Sequence, residues 1–276
     1  MCFGKMHTDF WGYNMAFKEI KSADNALIKK IAKLKNKKFR EEFKEFMAEG
    51  RLSLEAGIAS CYELCFAVAS ETFAKENESF LNELKDVVVT SDRLFEQISD
   101  SVTPQGVMGI FKIPENEFDE KNAGDVLIYC DNLRDPGNAG TIIRTADALG
   151  MDGVIFSKGS ADIYAPKLVR STMGSLFHTE VYKDVGTDVL SVLKNKGYKI
   201  VSSALYKESV SLYDWECPDK CVITIGNEAH GVSDEVLEMS DEYVKIPMYG
   251  FAESLNASVA AAIIISEASR RKHNGK

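Results

Sequence analysis

Three polar, glycine-bearing stretches hold the residues in this chain that could do chemistry. Residues 131–140 (DNLRDPGNAG) include Asn138 and are followed by Arg144; residues 226–231 (GNEAHG) include Glu228; residues 247–256 (PMYGFAESLN) include Ser254 and Asn256. In the first, a Gly/Asn turn can hold a polar ligand on backbone N–H groups while Arg144 presents a fixed cation. Each stretch also has a plain structural explanation. Gly137 and Gly140 can simply supply a turn, and GNAG is not the G-x-G-x-x-G of a dinucleotide fold. Glu228 reads equally as an exposed loop carboxylate, and Ser254 and Asn256 are good helix N-caps. Taken singly, none of the three decides the matter.

The elements around them are better defined. VLIYC (126–130) and CVITI (221–225) are short, rich in β-branched residues and followed by turn residues, so they read as buried strands. A last strand over 243–246 is stopped by Pro247. Residues 141–149 carry Ile142, Ile143, Ala146 and Leu149 at helical spacing and end at Gly150. Between these lie expected strands at 153–156, 180–182 and 199–204 and helices at 166–176 and 187–196. Ser233 is expected to cap a helix with Asp234 and Glu235 in its first turn. The final helix, from near Asn256, is apolar almost all round, which predicts burial on more than one side and a subunit interface. In such an alternation the three polar stretches fall at the carboxyl ends of strands, where open α/β sheets bind ligands.

The upstream half reads as a second, smaller α/β unit. Helices are expected over 25–34 (with Ala26, Leu27, Ile31 and Leu34 inward), 52–59, 73–84 and 93–98, the last capped by Ser91. Strands are expected over 43–47, 64–69 and 87–90, and GVMGIFK at 106–112 completes the unit. The acidic, Pro- and Gly-containing stretch 113–124 reads as an interdomain linker. Residues 1–17 show no periodicity and read as a leader, with Met15 the expected biological start.

At 45% hydrophobic and 27% charged residues, the composition is that of a globular chain and not a disordered one. No apolar run reaches the roughly 18 residues of a membrane span, and no secretory signal is visible. The six cysteines form no dense framework, which points to a reducing cytoplasm. No His pair is spaced for a metal, and the pairs Cys61/Cys65 and Cys217/Cys221 lack nearby histidines, so no metal is expected. The net charge of −9 argues against a nucleic-acid partner, but its distribution reverses that. From Lys18 to Arg40 nine basic residues face only Glu19 and Asp24. Lys29, Lys30, Lys33, Lys37, Lys38 and Arg40 are therefore candidate RNA contacts; a solvated helix face explains the same charges equally well.

Together the three stretches are more specific. NLRDPGNAGTIIRTADALG, then IGNEAHGVS, then IPMYGFAESLNASVAAAIIISEA resemble the three ordered motifs of the SpoU (TrmH-like) RNA 2′-O-ribose methyltransferases. The resemblance covers residues 125–272 strongly. Upstream, IKSADNALIKKIAKLKNKKFR with FMAEG and VTPQGVMGI resembles the ribosomal-protein-like substrate-binding domain of the ribosomal-RNA branch, although LSLEAGIASCYELC departs from that pattern. The resemblance implies an RNA-binding α/β domain (18–112), the linker (113–124) and a catalytic α/β domain (125–276) with a C-terminal trefoil knot, a rare exception to the rule against knotted chains. It also implies a homodimer joined through the final helix and the first motif.

The implied reaction moves a methyl group from S-adenosylmethionine to a ribose 2′-hydroxyl of RNA, with 23S ribosomal RNA the expected substrate and transfer RNA the alternative. That requires positioning the donor and the oxygen and handling one proton. By resemblance, Ala204, Gly226, Ile246 and Leu255 would contact the cofactor. Arg144 matches the motif-1 arginine, to which activation of the hydroxyl is attributed. An arginine stays protonated in water, so clamping the adjacent phosphate is an alternative role. Asn138, Glu228, Ser254 and Asn256 match the remaining polar positions: Ser254 and Asn256 would order the knot loop and the nucleotide, and Glu228 would fix Arg144. His230 lies in the second motif and reads as structural. A catalytically silent RNA-binding relative would have lost Arg144, Ser254 or Asn256, and all are present. A small-molecule enzyme using a nucleotide cofactor would need a phosphate loop or an acidic ribose ligand after the first strand, and neither is evident.

Overall fold

The structure, a computed structural model, describes residues 17–115, 117–204 and 208–274; the leader up to residue 16, with the expected start at Met15, lies outside the described residues. The chain divides into two units, one formed by residues 1–114 with 164–166, the other by 115–163 with 167–276.

In the first unit β1 (Lys18–Ile20), β2 (Glu45–Glu49), β3 (Leu64–Ser70), β4 (Val87–Thr90) and β5 (Val107–Lys112) form a mixed sheet in the order β1-β4-β3-β5-β2. The helices are α1 (Ala26–Lys33), α2 (Lys37–Phe43), α3 (Arg51–Ala59), α4 (Glu71–Glu76), α5 (Glu78–Asn82) and α6 (Asp92–Ile98). Asn25 caps α1 by accepting from the Leu27 N–H at 2.9 Å, and the helix buries Ile28, Ile31 and the following Leu34, while Ala26 is exposed. The expected helix over 73–84 is broken at Asn77, whose side chain donates to the Phe73 carbonyl at 3.0 Å. Ser91 caps α6 through the Leu94 N–H, as the sequence predicts. Helix α2 and strand β1 are not anticipated by the periodicity. Asn36 caps α2 at the Lys38 N–H (3.0 Å) and Lys44 ends it in the left-handed region, which moves β2 two residues beyond its expected start.

The second unit is a seven-stranded, wholly parallel sheet, β10-β12-β9-β11-β6-β7-β8. Its strands are β6 (Val126–Cys130), β7 (Gly153–Ser157), β8 (Val181–Val185), β9 (Lys199–Ser203), β10 (Val210–Ser211), β11 (Cys221–Ile225) and β12 (Glu242–Lys245). The two central strands, β6 and β11, are buried at every position. This is the continuous apolar run of a sheet covered on both faces, each large side chain contributing about 1.5–3 kcal/mol. The covering helices are α7 (Pro136–Ala148), α8 (Pro166–Ser171), α9 (Asp188–Asn195), α10 (Asp234–Glu238) and α11 (Ala257–Asn274). The expected helix over 166–176 ends at Ser171, beyond which only a short tight turn, Ser175–Phe177, follows.

Two helices depart from expectation in ways that bear on function. α7 begins at Pro136, so Asn138 and Gly140 sit in its first turns and not in a loop. α11 buries Ser258, Ala261, Ile264, Ile265 and Ala268 but leaves Val259 and Ile263 exposed, so this chain covers one side of it and not the whole circumference. Among the described residues, no helix is long and apolar enough to cross a membrane.

Candidate active site

Register sets the height at which the loops leave the sheet. Cys130 of β6 is paired with Ile225 of β11, Thr224 with Ser202 of β9, and Ser203 with Val244 of β12. Four neighbouring strands thus end level, and residues 131–135, 226–233, 246–256 and Ala204 emerge on one rim. The strand order also reverses here: the chain runs outward from β6 to β8, then starts again on the far side at β9. Such a reversal leaves a crevice beyond the strands' carboxyl ends.

The loops are tied together by side chains. Buried Asp131 accepts from the Ser233 N–H at 2.7 Å, so this aspartate serves the start of α10 while the Ser233 side chain makes no capping bond. Asn227 donates to the Asn132 carbonyl (2.8 Å) and accepts from the Ala229 N–H (2.9 Å), folding 227–231 into a tight bridge. Gly226 is required here, because a Cβ would lie 2.0 Å from the Gly231 carbonyl carbon. Asp135 caps α7 at the Asn138 N–H (2.8 Å), with Pro136 at the first helical position where a missing N–H costs nothing.

Asn138, Glu228 and Asn256, one from each stretch, form a single chain of hydrogen bonds. Glu228 Oε1 accepts from Asn138 Nδ2 at 3.1 Å and from the Asp135 N–H at 3.0 Å, while Oε2 accepts from the Arg134 N–H at 3.3 Å. Asn138, 8% exposed, in turn accepts from Asn256 Nδ2 at 3.0 Å. Asn256 Oδ1 caps α11 at the Ser258 N–H (2.9 Å) and also takes the Ser258 hydroxyl (2.7 Å). Partial burial pushes the Glu228 carboxyl up, but the bonds from Asn138 and the surrounding backbone N–H groups outweigh it and hold the group below its ordinary 4.5. Glu228 is therefore a fixed carboxylate acceptor at neutral pH. Each amide keeps an N–H or a lone pair for a further partner.

Against this chain lies a cavity of about 500 Å³, within the range of about 300–1,000 Å³ of small-molecule sites. Ala204, Gly226, Ile246 and Leu255 all line it, as do Glu228 and Ser254; Asn138, Asn256 and Arg144 do not. Its walls combine apolar Ile225, Val232 and Val244 with Asp234, Glu253 and Lys245. Arg144 is exposed on α7, with no ion-pair or hydrogen-bond partner among the described residues, so Glu228 holds Asn138 and the 134–135 backbone and not Arg144. Thr141, three positions before Arg144 on α7, lines an apolar groove with Val259, Ala262 and Ile263 of α11. Ser254 is exposed and has no hydrogen-bond partner among the described residues.

The basic candidates of the first unit divide. Lys29 pairs with Asp24 (2.8 Å), Lys37 with Glu41 (3.7 Å), and Lys30 with the buried carboxylate of Glu45 (2.6 Å). Lys33 and Lys38 are exposed and flank the Phe39 ring at 5.0 and 5.9 Å. Arg40 is buried and donates to the Leu34 carbonyl at 2.6 Å, which removes it from the surface available to RNA. Asp131, Asn227 and Asp135 were not singled out by sequence reasoning. For Asp135 the signal was present, since Asp followed by Pro before a helix is an N-cap pattern; for the other two only the fold reveals the partner.

Comparison with known proteins accords with this geometry. The sequence profile of the SpoU rRNA methylase family matches residues 125–266, and that of the MRM3-like substrate binding domain matches 25–109. A 23S rRNA (guanosine(2553)-2′-O)-methyltransferase of Bacillus subtilis is 33% identical over 90% of this chain and 98% of its own. The mouse mitochondrial rRNA methyltransferase 3 is 28% identical over 94% of this chain and 74% of its own. Among solved structures, the AdoMet-bound rRNA methyltransferase from Sinorhizobium meliloti superposes with a TM-score of 0.82 at 30% identity, covering 93% of this chain and 98% of that one. The AdoMet complex of the SpoU methyltransferase AviRb from Streptomyces viridochromogenes gives 0.81 at 26% identity, over 91% of this chain and 100% of that one.

Proposed function

The chain belongs to the SpoU rRNA methylase family, and from that premise we propose that it methylates a ribose 2′-hydroxyl of 23S ribosomal RNA with S-adenosylmethionine as donor. The observation that carries the reading is the cavity at the sheet rim, bounded by the second and third motif loops and wired to the first through Asn138, Glu228 and Asn256. Its chemistry fits the donor: apolar walls for the adenosine, backbone at Ala204, Gly226, Ile246 and Leu255 to hold it, and carboxylates at Asp234 and Glu253 to complement a cation. When bound, S-adenosylmethionine supplies an electrophilic methyl group.

The remaining work falls to this chain's residues. Asn138 and Asn256 lock the first and third loops to each other, so the cavity wall and the start of α7 keep one geometry as RNA arrives. Arg144 stands outside its own chain's cavity, beside the apolar groove of α7 and α11. A second copy covering Val259 and Ile263 would bring Arg144 toward the partner's cavity, there to clamp the phosphate next to the reacting ribose and orient its hydroxyl. Ser254, exposed at the rim, is positioned to meet the nucleotide. On this reading the enzyme is a homodimer whose loop 247–256 and α11 form the family's trefoil knot, and Lys29, Lys33, Lys37 and Lys38 supply RNA contacts. It acts in the cytoplasm, where its ribosomal substrate is made.

Calorimetric titration with S-adenosylmethionine, followed by mapping of ribose methylation in ribosomal RNA from a strain lacking the gene, tests the reading. Saturable binding and one missing 2′-O-methyl mark in 23S RNA are expected. Absence of binding at millimolar donor refutes it, and a mark missing from transfer RNA instead moves the substrate.

A further inference from the structure

The loop between β12 and α11 carries two aromatic side chains that this chain does not pack. Phe251 is fully exposed (108%) and Tyr249 is 86% exposed; neither ring stacks on another among the described residues. Apart from these two neighbours, nothing lies within 4 Å of where a Cβ on Gly250 would stand. Scattered exposed apolar residues are ordinary. Two large rings standing clear of the surface within three positions are not explained by folding, since both forgo the burial that normally holds an aromatic. Their place supplies the explanation: Ile246 and Met248 before them, and Glu253 and Leu255 after them, line the cavity.

We propose that Tyr249 and Phe251 form a stacking platform for unpaired RNA bases that flank the ribose being methylated. The proposal rests on the reading of the cavity as the methyl-donor site. A ribose brought to this rim delivers its own base and its neighbours' bases to the adjacent loop. Proteins that read single-stranded RNA splay such bases out and stack them on aromatic faces. Stacking tolerates any base, because every base has a π-face, so it positions the strand without itself choosing the sequence. Neither ring belongs to the exposed apolar groove lined by Thr141, Val259, Ala262 and Ile263.

The test uses the full chain with Tyr249→Ala and Phe251→Ala combined, a 23S ribosomal RNA transcript as probe, and a mixed-sequence single-stranded RNA carrying 2-aminopurine as a stacking reporter. Affinity for the transcript is expected to fall by roughly 5- to 150-fold per stacked base. The slope of log affinity against log salt should stay the same, because no charge is removed. Affinity for S-adenosylmethionine and the sedimentation coefficient should not move. Phe251→Trp should retain RNA affinity and 2-aminopurine quenching, and Phe251→Leu, with comparable apolar bulk but no ring, should lose them. Unchanged RNA affinity and quenching in the double variant overturn the proposal. So does a fall to a lighter sedimenting species, which assigns the rings to contact between copies. Failure of the methyltransferase reading itself appears separately, as wild-type protein that binds no S-adenosylmethionine.

Discussion

Replacing Asn138 by aspartate reverses the polarity of the joint between the three loops while changing its shape very little. In the native chain Asn138 Nδ2 donates to Glu228 Oε1 at 3.1 Å and Oδ1 accepts from Asn256 at 3.0 Å. Asn138→Ala removes both bonds, one to a charged group and one between amides. Bonds of these kinds contribute about 1.5–3 and 0.5–1.5 kcal/mol respectively, and because Glu228 is exposed the lower end applies, about 2 kcal/mol in all. Asn138→Asp keeps the bond from Asn256 but sets a carboxylate against one that its surroundings hold ionised. Like charges at this separation repel by about 1 kcal/mol in water and about 4 kcal/mol near a protein surface, so Asn138→Asp, which still keeps the bond from Asn256, should cost about 0.5–3.5 kcal/mol more than alanine. Adding Glu228→Gln returns a donor to the joint and should recover about 1–2 kcal/mol. The assay is urea unfolding followed by fluorescence of Trp215, which is 2% exposed in the second unit, with Trp11→Phe in every variant. An aspartate variant no less stable than alanine, or a coupling below about 0.5 kcal/mol, refutes the reasoning.

Further outcomes follow from the same geometry. Because the Glu228 carboxyl is held below 4.5 in the folded chain, its stabilisation is present above pH 4.5 and is lost as pH falls through the lower folded value; Glu228→Gln should flatten that acid limb in unfolding measured against pH. Gly226→Ala forces a Cβ to within 2.0 Å of backbone that cannot rotate away, and should lower stability by about 1–3 kcal/mol and weaken donor binding at least about tenfold in calorimetry. Arg144→Ala should abolish methyl transfer and spare donor affinity, since Arg144 does not line its own cavity; retained activity removes it from the mechanism. Val259→Asp with Ile263→Asp should convert the proposed dimer to monomers in sedimentation, and a variant that still sediments as a dimer overturns this face of α11 as its interface.

The central strands were legible because β6 and β11 are unbroken apolar runs between turn residues, a pattern that only a two-sided core explains. α2 was not. Its sequence KKFREEF offers only Phe39 and Phe43 at i, i+4 as an apolar face, and the helix is held by that pair, by the Asn36 cap and by the buried Arg40, a cation that composition assigns to the surface. The first turns of α7 were read as loop because Gly137, Asn138 and Gly140 are weak helix formers; the Asp135 cap and Pro136 outweigh that weakness. Resemblance marked Ala204, Gly226, Ile246 and Leu255 as donor contacts, and all four line one cavity. It did not find their wiring. Glu228 binds Asn138 and not Arg144, and no local pattern encodes a bond between positions so far apart in the chain. Likewise α11 is apolar on a side that this chain leaves bare, and periodicity alone cannot distinguish a core neighbour from a second copy.

The position of the cavity in the chain has a consequence for how the protein comes into being. Every residue lining it lies between Ser203 and Ala260, and β6 must wait for β11 before its inner edge is paired. The five-stranded sheet of the first unit, with its lysine-bearing helices α1 and α2, is complete once Lys112 has left the ribosome. With synthesis adding about 5–20 residues per second, those helices are exposed for roughly 7–30 s before the rim can close. A nascent chain therefore displays its cations next to ribosomal RNA well before its cavity exists.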